Sequence, residues 1–187
     1  MQWGHVERSE PPHHRSEHRP HDGPRPPSPH ADPVTPHRLF RVLALAEAVT
    51  WTLLILGMIG KYALHLGDWP VSVGGGIHGF VFLSYCAVVV IVWIDARWSL
   101  TDGLLALLSA VIPYATIPVE RRALRRGLLP HRWRLRGDDE APRGPLEKLL
   151  AALLRHPVVS TVVVVVVVVA LYLTLLAMGP PVEVSPE

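Results

Sequence analysis

The chain has 187 residues, 49% of them hydrophobic and 18% charged, with a mean hydropathy of +0.27, a formal net charge of +2 and a pI near 9.0. That leaves room for one modest domain, and the apolar residues fall into four blocks, about 39–59, 71–94, 103–119 and 158–179. A soluble core would scatter them at period 2 or 3.6 among charges, so membrane insertion is the simpler reading. The single cysteine, Cys86, lies inside the second block and excludes an intrachain disulfide.

Residues 1–36 carry nine prolines and six histidines and almost no large aliphatic side chains. Such a segment cannot bury enough apolar surface to offset the entropy of ordering it, so a disordered tail is expected. His-rich tracts sometimes hold a transition metal, but these histidines have no regular spacing and no metal site is assigned. The tail is polar, so it does not read as a secretory signal, and the first apolar block is expected to remain in the mature protein.

The first block, with Arg41 near its start and Glu47 inside it, reads as a membrane helix that runs on past Lys61 until Gly67, Asp68 and Pro70 make a turn. An ionisable residue within a span costs at least about 2.5 kcal/mol at the centre, so Glu47 should face other helices. The second block, from Val71 to Ile94, has no charge and is long enough to cross about 30 Å of hydrocarbon. Gly75 and Gly79 form a G-x-x-x-G pair suited to close helix packing, and His78, Phe82 and Tyr85 follow on one face. The third block is barely long enough to span, and Pro113 should kink it.

Residues 120–157 open with seven arginines between Arg121 and Arg136. Beside a membrane, Arg121, Arg122, Arg125 and Arg126 read as contacts with anionic lipid headgroups, worth about 1 kcal/mol each near the surface. No motif supports nucleic-acid binding. The fourth block holds eight consecutive valines, Val162–Val169; one segment in lipid satisfies its backbone only as a helix, so it reads as an anchor.

The expected architecture is therefore all-α: a disordered tail over 1–36, a three-helix membrane domain over 37–126, an Arg-rich cytoplasmic loop over 127–156, a further membrane helix over 157–180 and a disordered tail over 181–187. Ten Lys or Arg follow the third helix, against five arginines before the first span. The positive-inside rule then places that loop in the cytoplasm, with both termini outside and the Lys61 turn inside.

Hairpin register refines the expectation. With turns centred near Trp69 and Trp98, Lys61, His78 and Glu120 should share one level near the cytoplasmic side, while Arg41 and Asp95 share the other interface and Glu47 lies deeper toward that side. Such a group reads either as a small polar, proton-handling site or as snorkelling and interhelical hydrogen bonding. No nucleophile elbow, metal-ligand spacing or phosphate loop is present, so no catalytic residue and no cofactor are assigned.

The order of motifs from Phe40 to about Arg126 resembles the domain of unknown function 3817 family, small bacterial integral membrane proteins. The resemblance rests on Phe40-Arg41-Val42, Glu47, Lys61-Tyr62, Ile77-His78-Gly79, Phe82, Tyr85, Trp98-Ser99-Leu100, Pro113-Tyr114 and Glu120-Arg121-Arg122. It implies a three-helix membrane unit with no established activity. Where that family usually has Gly after the Pro-aromatic pair, and an aromatic before the acidic-Arg end, this chain has Ala115 and the stretch Ile117 to Val119.

Two functions follow as expectations. The first is a structural or partner-binding component of the bacterial cell membrane, packing as a bundle or homo-oligomer through the Gly75–Gly79 face, without enzymatic activity. The second is a small oligomeric transporter or proton-coupled carrier using Lys61, His78 and Glu120.

Overall fold

The computed structural model describes Met1 and residues 34–137 and 140–178; the expected tails over 1–36 and 181–187 lie almost wholly outside the described residues. The described chain is all-helical: α1 (Pro36–Tyr62), α2 (Trp69–Ala96), α3 (Leu100–Ser109), α4 (Thr116–Arg125), a 3₁₀ turn (Arg134–Arg136), α5 (Pro145–Arg155) and α6 (Pro157–Met178). Three of these, α1, α2 and α6, are long and apolar enough to cross a membrane.

Local chemistry sets the helix ends. Thr35 caps α1 by accepting from the Arg38 N–H at 3.2 Å, and Pro36 fills the first turn, where its missing N–H is not needed. At the far end the chain turns through His65 and Gly67, both at positive φ. Ser99 caps α3 in a reciprocal arrangement with Asp102: its hydroxyl accepts from the Asp102 N–H at 3.1 Å and donates to the Asp102 carboxylate at 2.7 Å.

Helices α1 and α2 pack as an antiparallel hairpin whose register differs from the sequence expectation. Gly57 lies against the Pro70 carbonyl, Gly74 against the Leu53 carbonyl, and Thr50 meets His78. The turn is thus centred near residue 64, about five residues before Trp69. The reason is Pro70. Taken as part of the turn, it delays the start of α2; in the structure it occupies the first turn of α2, a position that proline favours. Lys61 consequently sits at the turn and pairs with Asp68 at 2.7 Å, far along α1 from the Thr50 level at which His78 lies.

The third apolar block is not one span. Only ten residues long, α3 ends at Ser109, and the chain reverses through residues 110–115 with Tyr114 at φ +64°. Pro113 supplies no N–H and disfavours helical geometry at Ile112, so the helix stops here and does not merely kink. The reversal is anchored against the middle of α1: the Trp51 indole donates to the Ala110 carbonyl at 3.2 Å, and the Thr52 and Tyr114 hydroxyls lie 3.2 Å apart. Helix α4 then runs back beside α3. Thr116 donates to the Ala44 carbonyl at 2.9 Å, and at the far end of α4 Arg126 pairs with Asp102 near the start of α3.

This hairpin decides where the arginines go. The segment after α4 emerges at the end of the bundle where α1 begins, with the Trp98 indole donating to the Leu128 carbonyl and the Trp133 indole to the Val34 carbonyl, both at 2.8 Å. Asp95, fully buried at the end of α2, accepts from the Arg134 and Leu135 N–H groups at 3.1 and 2.9 Å. Helix α5 docks at the same end through Glu147, which accepts from Arg97 at 2.8 and 3.0 Å. The start of α1, the Arg97 turn and the Arg-rich segment therefore share one end, and the expected separation of the Lys61–His78–Glu120 level from the Arg41–Asp95 interface gives way to this arrangement.

Helix α6 leaves that end and leans on α2, where the Tyr172 ring lies over Gly76 and Gly79 and meets Phe80 edge-on at 5.9 Å. Its valine run is helical, and only Val168 is buried. The core of the described chain is built where α1, α2, α3 and α4 converge, around Phe40, Tyr85, Val88, Val89, Val92, Ala106 and Ala110.

Candidate functional site

The interior of the α1–α2–hairpin unit is not wholly apolar. Phe40, Ala44 and Glu47 line the buried side of α1 together with Thr50, as spacings of three and four on a helix require. Glu47 is fully buried, and neither carboxyl oxygen has a hydrogen-bond partner. Across from it, His78 Nδ1 lies 3.4 Å from Glu47 Oε2 and 3.1 Å from Thr50 Oγ1. The Thr50 hydroxyl is also within 3.1 Å of the Glu47 backbone carbonyl, so Thr50 bridges the turn of α1 that carries the carboxyl and the ring that faces it. Trp51 covers the imidazole with ring centroids 4.5 Å apart, and Phe82 lies at 6.3 Å.

Glu120 enters the same interior from α4. Thr116, Glu120 and Ala123 form the buried stripe of that helix, and Glu120 Oε1 is buried without a hydrogen-bond partner. Between the two acids stands Tyr85, fully buried, whose hydroxyl lies 3.1 Å from Ser109 Oγ and donates toward the Ala106 carbonyl at 3.3 Å. Tyr85 is within electrostatic reach of both Glu47 and Glu120.

Of the residues singled out from sequence, the fold thus brings Glu47 and His78 together, sets Glu120 on the other side of Tyr85, and takes Lys61 away. Lys61 is partly exposed and paired with Asp68, so the expected Lys61–His78–Glu120 level does not form. The glycine pair also divides its work. A Cβ on Gly75 would meet only Leu54 Cδ1 at 3.7 Å, and one on Gly79 only Tyr172 of α6 at 3.7 Å. The tight crossings fall elsewhere, at Gly57, Gly74 and Gly103, where an added Cβ would come within 2.6 Å of the Pro70 carbonyl oxygen, within 2.9 Å of the Leu53 carbonyl oxygen and into the Trp93 ring.

At the basic end Arg121, Arg122 and Arg125 are exposed, while Arg126 is tied to Asp102. Sequence reasoning missed the network that fastens α5 there. Glu147 accepts from Arg97, from the Arg143 N–H at 2.7 Å and from Arg134 at 3.1 Å. The Arg97 hydrogen bonds come first among the causes that hold the Glu147 carboxyl down to about 2, and Glu147 in turn raises the Arg97 guanidinium. The one available signal was Asp95 followed closely by Arg97 at the end of an uncharged run, which marks a helix end with ionic business to settle.

Among the described residues no group of three or more His, Cys, Asp or Glu is arranged to hold a metal ion. The chemistry this interior offers is proton holding: two carboxyls, an imidazole and a phenol, with Cys86 half-buried beside them.

Comparison with known proteins agrees with the resemblance read from the sequence. Residues 37–125 match the family model described as Domain of unknown function (DUF3817). The chain is also 39% identical over 94 residues to Putative membrane protein SCO5905 of Streptomyces coelicolor; the alignment covers 50% of this chain and 11% of that relative. No solved structure matches. Residues 37–125 are thus similar to this family of unknown function, and the three long apolar helices suit a membrane location.

Proposed function

We propose that this chain is a multi-pass protein of the bacterial cell membrane, with a structural and partner-binding role and no catalysis of its own, held with its basic end on the cytoplasmic side against anionic lipid headgroups. In this reading α1, α2 and α6 span the bilayer and α3–α4 is a re-entrant hairpin that enters from the basic side and returns to it. The observation that carries the reading is the one-sided charge produced by the hairpin. Arg38, Arg41, Arg97, Arg121, Arg122, Arg125, Arg126, Arg134, Lys148 and Arg155 belong to segments gathered at one end, against Lys61 at the other. Positive charge near helix ends selects the cytoplasmic side, and each exposed arginine near an anionic surface adds about 1 kcal/mol of attraction. The N-terminal arginines, which opposed the four-span topology, support this one.

A carrier built on Lys61, His78 and Glu120 loses support, because Lys61 is engaged with Asp68. The test is thiol accessibility in intact cells, with Cys86 replaced and single cysteines at Asp68, Ser99 or Gly137. An impermeant reagent should label only the Asp68 position. Labelling at Ser99 would restore four spans and refute the re-entrant reading. For the lipid contact, replacing Arg121, Arg122 and Arg125 by Ala should lower the anionic lipid retained on purification; unchanged retention refutes it.

A further inference from the structure

A packing role does not account for Glu47. A glutamine or a leucine would fill the same volume without placing an ionisable group between helices, where a charge lacking a partner or water is among the costliest groups a protein can bury. Yet Glu47 is fully buried, both its carboxyl oxygens lack a hydrogen-bond partner, and the nearest basic atom is His78 Nδ1 at 3.4 Å.

We infer that Glu47 and His78 together form an intramembrane binding site for one proton, shared between carboxyl and imidazole and exchanged with the basic side of the membrane. With that proton the pair is neutral overall, either as carboxylic acid beside imidazole or as carboxylate beside imidazolium. Without it the site carries one negative charge in a medium of low dielectric. The surroundings act in the same direction. The titratable groups around the pair are Tyr85 and Cys86 on α2, with Glu120 of α4 within electrostatic reach of Tyr85; α3 contributes the Ser109 hydroxyl, and α1 presents no second charge there. None of these is a cation. Each neighbour that ionises does so to a negative charge, which strengthens retention of the proton. Thr50, within 3.1 Å of both the ring and the Glu47 carbonyl, keeps the imidazole at the carboxyl.

The direction of exchange follows from depth. Glu47 stands 11 residues from Pro36 and 15 from Tyr62, about 16 Å from the basic end of α1 and about 22 Å from the other. Glu120 lies six residues inside Arg126, about 9 Å, and Tyr85 with its Ser109 partner is in electrostatic reach of both acids. Polar groups are thus spaced between the site and the basic end. In loading, an acid in the water on that side gives its proton to the Glu47–His78 pair and leaves as its conjugate base; release is the reverse, with no bond to carbon made or broken.

The experiment uses the full chain in lipid vesicles, with the proton itself as the probe. Infrared difference spectra of carboxyl-labelled glutamate, together with nitrogen-labelled histidine spectra, should show the pair holding one proton at neutral pH. Glu47→Gln should remove it, Glu47→Asp should keep it, and His78→Gln should leave it on the carboxyl alone. An ionised Glu47 beside a neutral His78 in the unmodified chain at neutral pH overturns the site, as does an ionised Glu47 in His78→Gln, so the test stands even where Glu47→Gln does not fold. A pH step on the basic side should be followed at least tenfold faster than one on the opposite side, and Tyr85→Phe should reduce that advantage. Equal rates overturn the sidedness. Loss of the lipid contact proposed above would leave these proton signals unchanged, so the two readings fail separately.

Discussion

The helix crossings give the sharpest test of the architecture, because two glycines of the same hairpin face opposite demands. A Cβ at Gly57 would stand 2.6 Å from the Pro70 carbonyl oxygen and 3.0 Å from its carbon, both backbone atoms that no rotamer can move. A Cβ at Gly75 would meet only the tip of Leu54 at 3.7 Å, an ordinary contact. Alanine in a helix interior is favoured over glycine by about 1 kcal/mol, a term common to both sites that cancels in their difference. Overpacking a tight site costs about 1–3 kcal/mol, and a backbone clash belongs at the upper end. Gly57→Ala should therefore be less stable than Gly75→Ala by about 2–3 kcal/mol, a ratio of 30 to 150 in the folding equilibrium at about 1.4 kcal/mol per decade. Reversible unfolding in bicelles, followed by tryptophan fluorescence, measures the difference. Equal stabilities, or a costlier Gly75→Ala, would refute the register derived for α1 and α2 and return the close packing to the Gly75–Gly79 face.

Three other outcomes follow from the basic end and the turn. Asp95→Asn removes the charge on which the Arg134 and Leu135 N–H groups rest, at a cost of about 1.5–3 kcal/mol, and should speed tryptic cleavage around Arg134 and Arg136 while leaving the helices intact; unchanged cleavage argues against the anchor. The Glu147 carboxyl is lowered from about 4.5 to about 2, so the docking of α5 that it supports is complete above about 4.5 and is lost as pH falls from there toward 2. A change in tryptophan emission over that window, absent in Glu147→Gln, checks the sign; the same transition in both chains contradicts it. Lys61→Ala breaks a solvent-screened pair at the turn and should leave the unfolding transition nearly unchanged. A clear loss of stability would mean that Lys61 serves the interior after all.

The division between sequence and tertiary structure follows from what each residue's surroundings require. Apolar blocks longer than about 18 residues mark α1, α2 and α6 as helices long and apolar enough to cross a membrane without reference to any partner, because lipid would leave the backbone no alternative. Glu47, His78 and Tyr85 were visible as ionisable or polar residues in apolar surroundings, and Glu120 as the acid that opens the arginine-rich segment. Their pairing was not. It depends on hairpin register, and register turned on whether Pro70 closes a turn or opens a helix, a choice both settings of the local sequence allow. The third block posed the same difficulty. Pro113 announces an interruption, but whether the chain continues across or folds back depends on Trp51 and Thr52 of α1 receiving the tip, and on Arg126 finding Asp102 at the other end. Those contacts join residues 24 to 62 positions apart, beyond the reach of any local pattern. The existence of α1, α2 and α6 was settled by composition and length; helix α5, which lies inside the segment expected as a loop over 127–156, the burial of Glu47 against His78 and the gathering of arginines at one end were settled only when the helices met.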